Sequence, residues 1–296
     1  MAILTVEKLS KNYGPIKALN EVSFSVPAGS VFGILGPNGS GKTTLLGIIM
    51  SILYPTQGSY KLFDEEPRDD HRKKIGTLLE TPNFYHYLSA VENLRITAEI
   101  KGHTYDDIDK ILETVNLAQR KNSPFSSYSL GMKQRLAIAG ALLGNPDVLV
   151  FDEPTNGLDP VGIAEIRTLI KKLAQEGKTI IMASHLLDEV EKVCSHVAIL
   201  KKGVLITSGH VNEIFVHDDV VEIGADNPDK LLSIIQTMPG YKKFEQDSGH
   251  LQLYYEPGKA SLSEINQFCF EQGISLSHLV MKRKSLESKF FELTNN

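Results

Sequence analysis

Gly36-Pro37-Asn38-Gly39-Ser40-Gly41-Lys42-Thr43 is the stretch whose reading decides the fold. It follows an apolar run, Ser30 to Leu35, and opens a helical one, Lys42 to Met50. Glycines at these offsets before a Lys-Thr pair let backbone N–H groups wrap phosphate oxygens at a helix N-terminus, in the strand, loop and helix order of a phosphate-binding loop. In that reading Gly36 through Thr44 bind a nucleotide's phosphates, with Lys42 on the β and γ phosphates and the Thr43 hydroxyl on Mg2+. The competing reading, an ordinary glycine turn, does not account for the strand before and the helix after.

Downstream, Val148-Leu149-Val150-Phe151 reads as an apolar strand carrying Asp152 and Glu153 at its C-terminal end, where open α/β sheets place ligands. Asp152 is suited to orient Mg2+ through its water shell, and Glu153 to polarise an attacking water as general base. Alone, an Asp-Glu-Pro after a strand is a turn; the phosphate loop upstream gives the carboxylates a purpose. Further strands at Thr179 to Ala183 and Val197 to Leu200 alternate with helices from about Val161 to Gln175 and from Leu187 to Val193. That alternation predicts a mainly parallel, doubly wound α/β core. The start of the chain, Ile3 to Val6 and Val22 to Val26 around a turn at Tyr13-Gly14-Pro15, predicts an antiparallel β layer. Residues 86–145 read mostly as helices, Ala90 to Ile100, Tyr105 to Asn116 and Gly131 to Leu143, an inserted helical lobe.

The 296 residues exceed one average domain. Near Phe215 to Asp219 the composition turns polar, and the remainder of the chain has strand-helix-strand-strand-helix-strand character. The expected division is therefore 1–215 for the main domain and 216–296 for a small α+β domain. That second domain shows no catalytic constellation. Its last helix, Ser285 to Leu293, puts Leu286, Phe290 and Leu293 on one face, which reads as core packing, and Lys282-Arg283-Lys284 reads as a solvated turn. Composition narrows the classes further. No apolar run approaches the roughly 18 to 20 residues that cross a bilayer, and the first residues lack the pattern of a signal peptide, so a cytoplasmic location is expected. A net charge of −5 gives no overall basic field, and no nucleic-acid partner is expected. Cys194 and Cys269 lack disulfide or zinc-site spacing and read as buried thiols.

Taken together, the motifs from residue 1 to about 215 resemble those of ABC ATPases, which implies a P-loop NTPase cassette with ATP and Mg2+ as ligands. In the family's terms Asn156-Gly157-Leu158-Asp159 resembles the loop that contacts a partner subunit, and Ser184-His185 resembles the switch histidine that bonds the γ-phosphate. The resemblance thus implies Glu153, His185 and Lys42 as the catalytic residues. Ser129-Leu130-Gly131-Met132-Lys133-Gln134-Arg135 resembles the signature motif, in which Ser129 and Gly131 would cap the γ-phosphate held by the other subunit. Leu130 stands where a glycine is usual and Met132 where a glutamine is usual. Tyr13 resembles the aromatic that stacks on adenine. Read without the family, His185 is a structural residue, Ser129 an N-cap and Tyr13 a hairpin aromatic. Glu80 stands where most of the family has a glutamine touching Mg2+. That replacement, with the Tyr-Ser-Leu-Gly-Met-Lys-Gln form of the signature, resembles the branch serving bacitracin resistance and lantibiotic immunity. The resemblance implies an ATP-hydrolysing subunit that pairs with a second copy or a related cassette. It would sit on the inner face of the cell membrane through a separate permease. Two alternatives stay open: a general drug, lipid or ion exporter built on the same cassette, and a soluble ABC machine. Soluble ABC machines tend to carry a coiled-coil insert, zinc cysteines or two cassettes, none of which the sequence contains.

Overall fold

In the computed structural model, which describes residues 1–79, 82–214, 219–247 and 250–283, the alternating start of the chain forms β1 (Ala2–Tyr13) and β2 (Ile16–Pro27). Their antiparallel register sets Leu4 opposite Val26, Val6 opposite Phe24 and Leu9 opposite Val22. One face of the hairpin is therefore apolar, and those side chains are buried. The chain continues through β3 (Val31–Leu35), α1 (Lys42–Ile49), β4 (Gln57–Leu62), α2 (Asp69–Lys73) and β5 (Ile75–Leu78). Next come the helical lobe, α3 (Ala90–Lys101), α4 (Ile108–Thr114) and α5 (Leu130–Leu142), and then β6 (Val148–Asp152) and α6 (Pro160–Gln175). The first unit ends with β7 (Thr179–Ser184), α7 (Leu187–Val193), β8 (His196–Lys201), β9 (Val204–His210) and α8 (Val211–Ile214).

Two sheets build this unit. β4 joins the hairpin in the order β2-β1-β4, and six strands run β5-β6-β7-β3-β8-β9. The six-stranded sheet is parallel through β8 and closed at one edge by antiparallel β9. Every residue of β3, β6 and β7 is buried, as expected of parallel strands covered on both faces. Leu45, Leu46, Ile48 and Ile49 of α1 share one core with Leu4, Val6, Phe24, Val150 and Ile181. Each such buried side chain stabilises the fold by about 1.5–3 kcal/mol.

Helix boundaries differ from the sequence reading where a local backbone device intervenes. α4 is shorter than Tyr105 to Asn116, because Ile108 N–H closes a turn onto Tyr105 O and Asn116 adopts a left-handed φ of 56° beyond the helix. α5 starts at Leu130, before the expected Gly131, because Ser129 Oγ accepts from Met132 N–H and caps it. α3 carries a capping box between Ser89 and Glu92 and ends on left-handed Gly102.

The chain divides into two units, Met1–Ile214 and Phe215–Asn296. The second has the predicted order: β10 (Asp219–Ala225), α9 (Pro228–Ile235), β11 (Lys243–Asp247), β12 (His250–Tyr255), α10 (Leu262–Glu271) and β13 (Leu276–Arg283). Its antiparallel sheet runs β11-β12-β10-β13, the split β-α-β arrangement of ferredoxin-like domains. Leu231, Ile235, Ile265 and Cys269 from the helices pack with Val221, Ile223, Leu251 and Leu253 from the sheet. The run read as a solvated turn is not one. Lys282 and Arg283 continue β13, and Lys282 pairs with Glu222 across the sheet. Lys284 and the expected helix Ser285 to Leu293 lie outside the described residues. Both cysteines are buried free thiols, and burial pushes each thiol up from its ordinary pKa.

Candidate nucleotide-binding site

Parallel register assembles the site. Leu35 of β3 lies beside Ser184 of β7, and Asp152 of β6 lies beside Ala183. The loops after three neighbouring strands therefore leave the sheet at one end, as open α/β sheets do around a ligand. Two amides tie them: Gly36 N–H donates to Ser184 O (3.3 Å), and Glu153 N–H to Ala183 O (3.1 Å).

The glycine loop is wedged between β2 and the β8–β9 turn. A methyl group on Gly36 would come within 2.4 Å of Leu200 O, and one on Gly41, whose φ is 105°, within 2.5 Å of Ala18 O. Only glycine fits either place. Gly203 N–H donates to Ser40 O (3.0 Å) and fixes the turn against the loop. Around the loop lies a cleft of about 430 Å3 lined by Asn38, Gly39, Ser40, Gly41, Lys42, Thr43 and Thr44. Glu153 forms part of its wall, and Ile16, Lys17, Ala18 and Lys202 complete it. Those last four were absent from the sequence reading. No local sequence signal marks them.

Three ionisable side chains meet at the strand ends. Lys42 is 5% exposed, and its Nζ donates to Gly36 O (2.8 Å) and Pro37 O (3.3 Å) while sitting 3.3 Å from Glu153 Oε1. Glu153 Oε2 lies 2.8 Å from His185 Nδ1. Glu153, 20% exposed, is therefore bridged between a cation and an imidazole. Its backbone has a left-handed φ of 48°, a strained choice for a side chain with no local compensation, and such strain gathers at working sites. Next to His185 in the chain, Ser184 Oγ accepts from Leu186 N–H (3.0 Å), and buried Glu189 on the following α7 pairs with Arg167 of α6 at 2.6 Å.

The other sequence candidates lie elsewhere. Tyr13, half-exposed at the end of β1, has the Lys11 ammonium 5.2 Å from its ring centre and is not among the cleft's lining residues. Ser129 and Gly131 sit at the exposed start of α5, and none of the described residues there lines the cleft. They adjoin the 156–159 loop instead: a methyl on Gly157 would meet Leu130 Cδ2 at 3.3 Å, and one on Gly131 would meet Leu158 at 4.0 Å. Asp159 caps α6, its carboxylate accepting from Gly162 N–H at 2.9 Å. Glu80 lies outside the described residues.

The residues present fit a magnesium nucleotide. Mg2+ is usually held by one or two carboxylates together with substrate phosphates, and buried Asp152 with the Thr43 hydroxyl is such a donor set. Ser40 Oγ, buried in the loop with no hydrogen-bond partner among the described residues, is a further oxygen for a ligand.

Comparison with known proteins agrees with this geometry. The profile of the family described as ABC transporter matches residues 19–156. The bacitracin transport ATP-binding protein BcrA of Enterococcus faecalis is 34% identical, over 98% of this chain and 96% of its own. The lantibiotic transport ATP-binding protein SrtF of Streptococcus pyogenes is 38% identical over 69% of this chain and 89% of its own. The Nod factor export ATP-binding protein I of Ralstonia nicotianae is 36% identical over 99% and 94%. Among solved structures, the dimeric cassette MJ0796 bound to ADP and Pi superposes with a TM-score of 0.63 at 28% identity, covering 70% of this chain and 98% of that one. With the loop, the paired carboxylates and the fold all in agreement, the chain belongs to the ABC transporter family, as an ATP-binding, ATP-hydrolysing subunit.

Proposed function

We propose that two such cassettes, identical or related, sandwich two ATP molecules and drive a membrane permease that exports a peptide antibiotic of the bacitracin or lantibiotic type. The observation that carries the catalytic half is the Lys42–Glu153–His185 cluster at the strand ends. Lys42 and the amides opening α1 hold the phosphates, an anion at a helix N-terminus. Phosphate competes with Glu153 for the Lys42 ammonium, which leaves the carboxylate to accept a proton from the attacking water. His185, held against Glu153, donates to the γ-phosphate. Thr43 and Asp152 would hold Mg2+, as would Glu80 by the family resemblance, and the ion would neutralise phosphate charge. Tyr13 supplies an aromatic face for the base, while Ser129, Gly131 and Asp159 act on the partner's nucleotide. Electrostatic clamping of phosphate favours the closed pair, and hydrolysis releases it.

The cargo assignment rests on likeness to BcrA, which extends through the second domain, and to SrtF. The Nod factor relative is as similar, so a different exported molecule is the second reading. No helix among the described residues is long and apolar enough to cross a membrane, which fits a subunit that reaches the inner membrane face through its permease. The test is the minimum inhibitory concentration of bacitracin and of a lantibiotic for cells expressing this chain with its neighbouring permease. Protection that vanishes with Glu153→Gln supports ATP-driven peptide export. No protection, with the permease present in the membrane, moves the cargo to another class.

A further inference from the structure

The cleft around the glycine loop has a wall that none of the motifs supplies. β8 and β9 are joined by a two-residue turn, since Lys201 pairs with Val204, and both turn residues are left-handed, Lys202 at φ 48° and Gly203 at φ 80°. Such a hairpin turn favours asparagine followed by glycine, because asparagine tolerates a positive φ better than a longer side chain does. Lysine stands in the first place instead. The turn is firmly held: Gly203 N–H donates to Ser40 O at 3.0 Å, and Gly203 O accepts from Asn20 N–H at 2.8 Å. A methyl on Gly203 would come within 2.7 Å of Ala18 O, so the turn is pressed against β2 just where Lys17 joins the same wall.

The charges facing the cleft are unbalanced. Lys17, Lys42 and Lys202 line it, and Glu153 is the one carboxylate among its lining residues. That carboxylate is already engaged, 3.3 Å from Lys42 Nζ and 2.8 Å from His185 Nδ1. Lys17 and Lys202 are exposed, and neither ammonium has a hydrogen-bond or ion-pair partner among the described residues. Two uncompensated cations on the rim of one small volume create a local positive potential in a chain whose net charge is −5. Such a rim attracts a polyanion, and the phosphate chain of a nucleotide is one.

We propose that Lys17 and Lys202 are nucleotide-binding residues, which hold phosphate oxygens from the β2 and β8–β9 side of the cleft in addition to Lys42 and the loop amides. This role rests on the nucleotide reading of the cleft. The β8–β9 turn becomes a fourth element of the site, beside the ends of β3, β6 and β7, and its lysine has a task that the turn itself does not need. Each ammonium acts as a point charge on a flexible stem, so both add affinity for phosphate without reading the base.

The full chain is titrated calorimetrically, with Mg2+ present, against the non-hydrolysable β,γ-imido analogues of ATP and GTP. Lys202→Asn suits the turn and should melt no lower than wild type. It should nevertheless weaken binding of the ATP analogue about fivefold at low salt. Lys17→Gln should weaken it similarly, and Lys202→Arg, which keeps the charge, should bind like wild type. The loss should be equal for the GTP analogue and should fade at about 0.5 M salt, where exposed charges are screened. In hydrolysis, the KM for ATP should rise in both weakened variants with kcat retained at saturation. Unchanged affinity in Lys202→Asn or in Lys17→Gln, a loss for one base only, or a loss that Lys202→Arg shares each overturns the proposal. Lys42→Ala, which should abolish binding, is the control for the cleft itself. A wild-type chain that binds neither analogue would sink the nucleotide reading along with the proposal, whereas unaffected Lys17 and Lys202 variants of a chain that does bind would sink the proposal alone.

Discussion

At the scale of single residues, the site turns on Glu153, which touches both Lys42 and His185. Glu153→Gln keeps the size but cannot take a proton. Phosphate release should fall about 10²–10⁴-fold while ATP still binds, as measured by equilibrium dialysis. Retained turnover would remove Glu153 from the chemistry. The glycines separate by surroundings. Gly41→Ala drives a methyl into Ala18 O and should abolish ATP binding and lower the melting temperature. Gly39→Ala meets nothing within 4 Å and should lose only the roughly 1 kcal/mol of an unfavourable φ. Lys42, Asp152 and Glu153 were legible in the sequence because each sits in a contiguous motif whose spacing encodes its geometry. Lys202, Lys17 and Ile16 were not. Lys202 reaches the cleft because Gly203 bonds Ser40 across more than 160 residues of chain, and Ile16 and Lys17 reach it because β2 abuts the loop at Ala18 and Gly41; no local pattern reports such contacts.

At the scale of elements, caps and pins decide whether the functional loops are held. The Ser89–Glu92 box starts α3, and Ser89→Ala should lower stability by about 1 kcal/mol in chemical denaturation. The Arg167–Glu189 pair has a deeper effect, since it fastens α7, the helix just after His185, to α6. Arg167→Met leaves a buried carboxylate without its partner and should destabilise by about 3 kcal/mol. It should also lower kcat more than it raises the KM for ATP, because His185 loses its support. An unchanged kcat would confine the pair to stability. Long buried or strongly amphipathic elements such as β6, β7 and α6 were readable from the sequence within a residue or two. β4, β5 and β9 escaped it, being short or half-exposed, so that their alternation is weak until a neighbouring strand supplies the missing partner.

At the scale of the whole molecule, the order of strands and helices was legible from β6 to β8 and in the second unit, but which strands become neighbours was not, since β3 lies between β7 and β8. In the second unit, the Lys282 ammonium holds the Glu222 carboxyl below its usual range against the opposing effect of burial, helped by Gln252 and by His278 at 2.9 Å. A depressed folded pKa means that the stabilisation is fully present above the ordinary carboxylate range near about pH 4 and is lost as pH falls through the folded value. Amide exchange in β10 should therefore be faster in Glu222→Gln than in wild type at neutral pH, and the gap should close in strong acid. A gap independent of pH would assign the effect to packing alone. In the first unit, the start of α5 lies outside the cleft around Lys42. If two copies pair as proposed, two different spoiled alleles, Lys42→Ala and Gly131→Asp, should partly complement each other, because a mixed pair rebuilds one sound pocket from the undamaged halves.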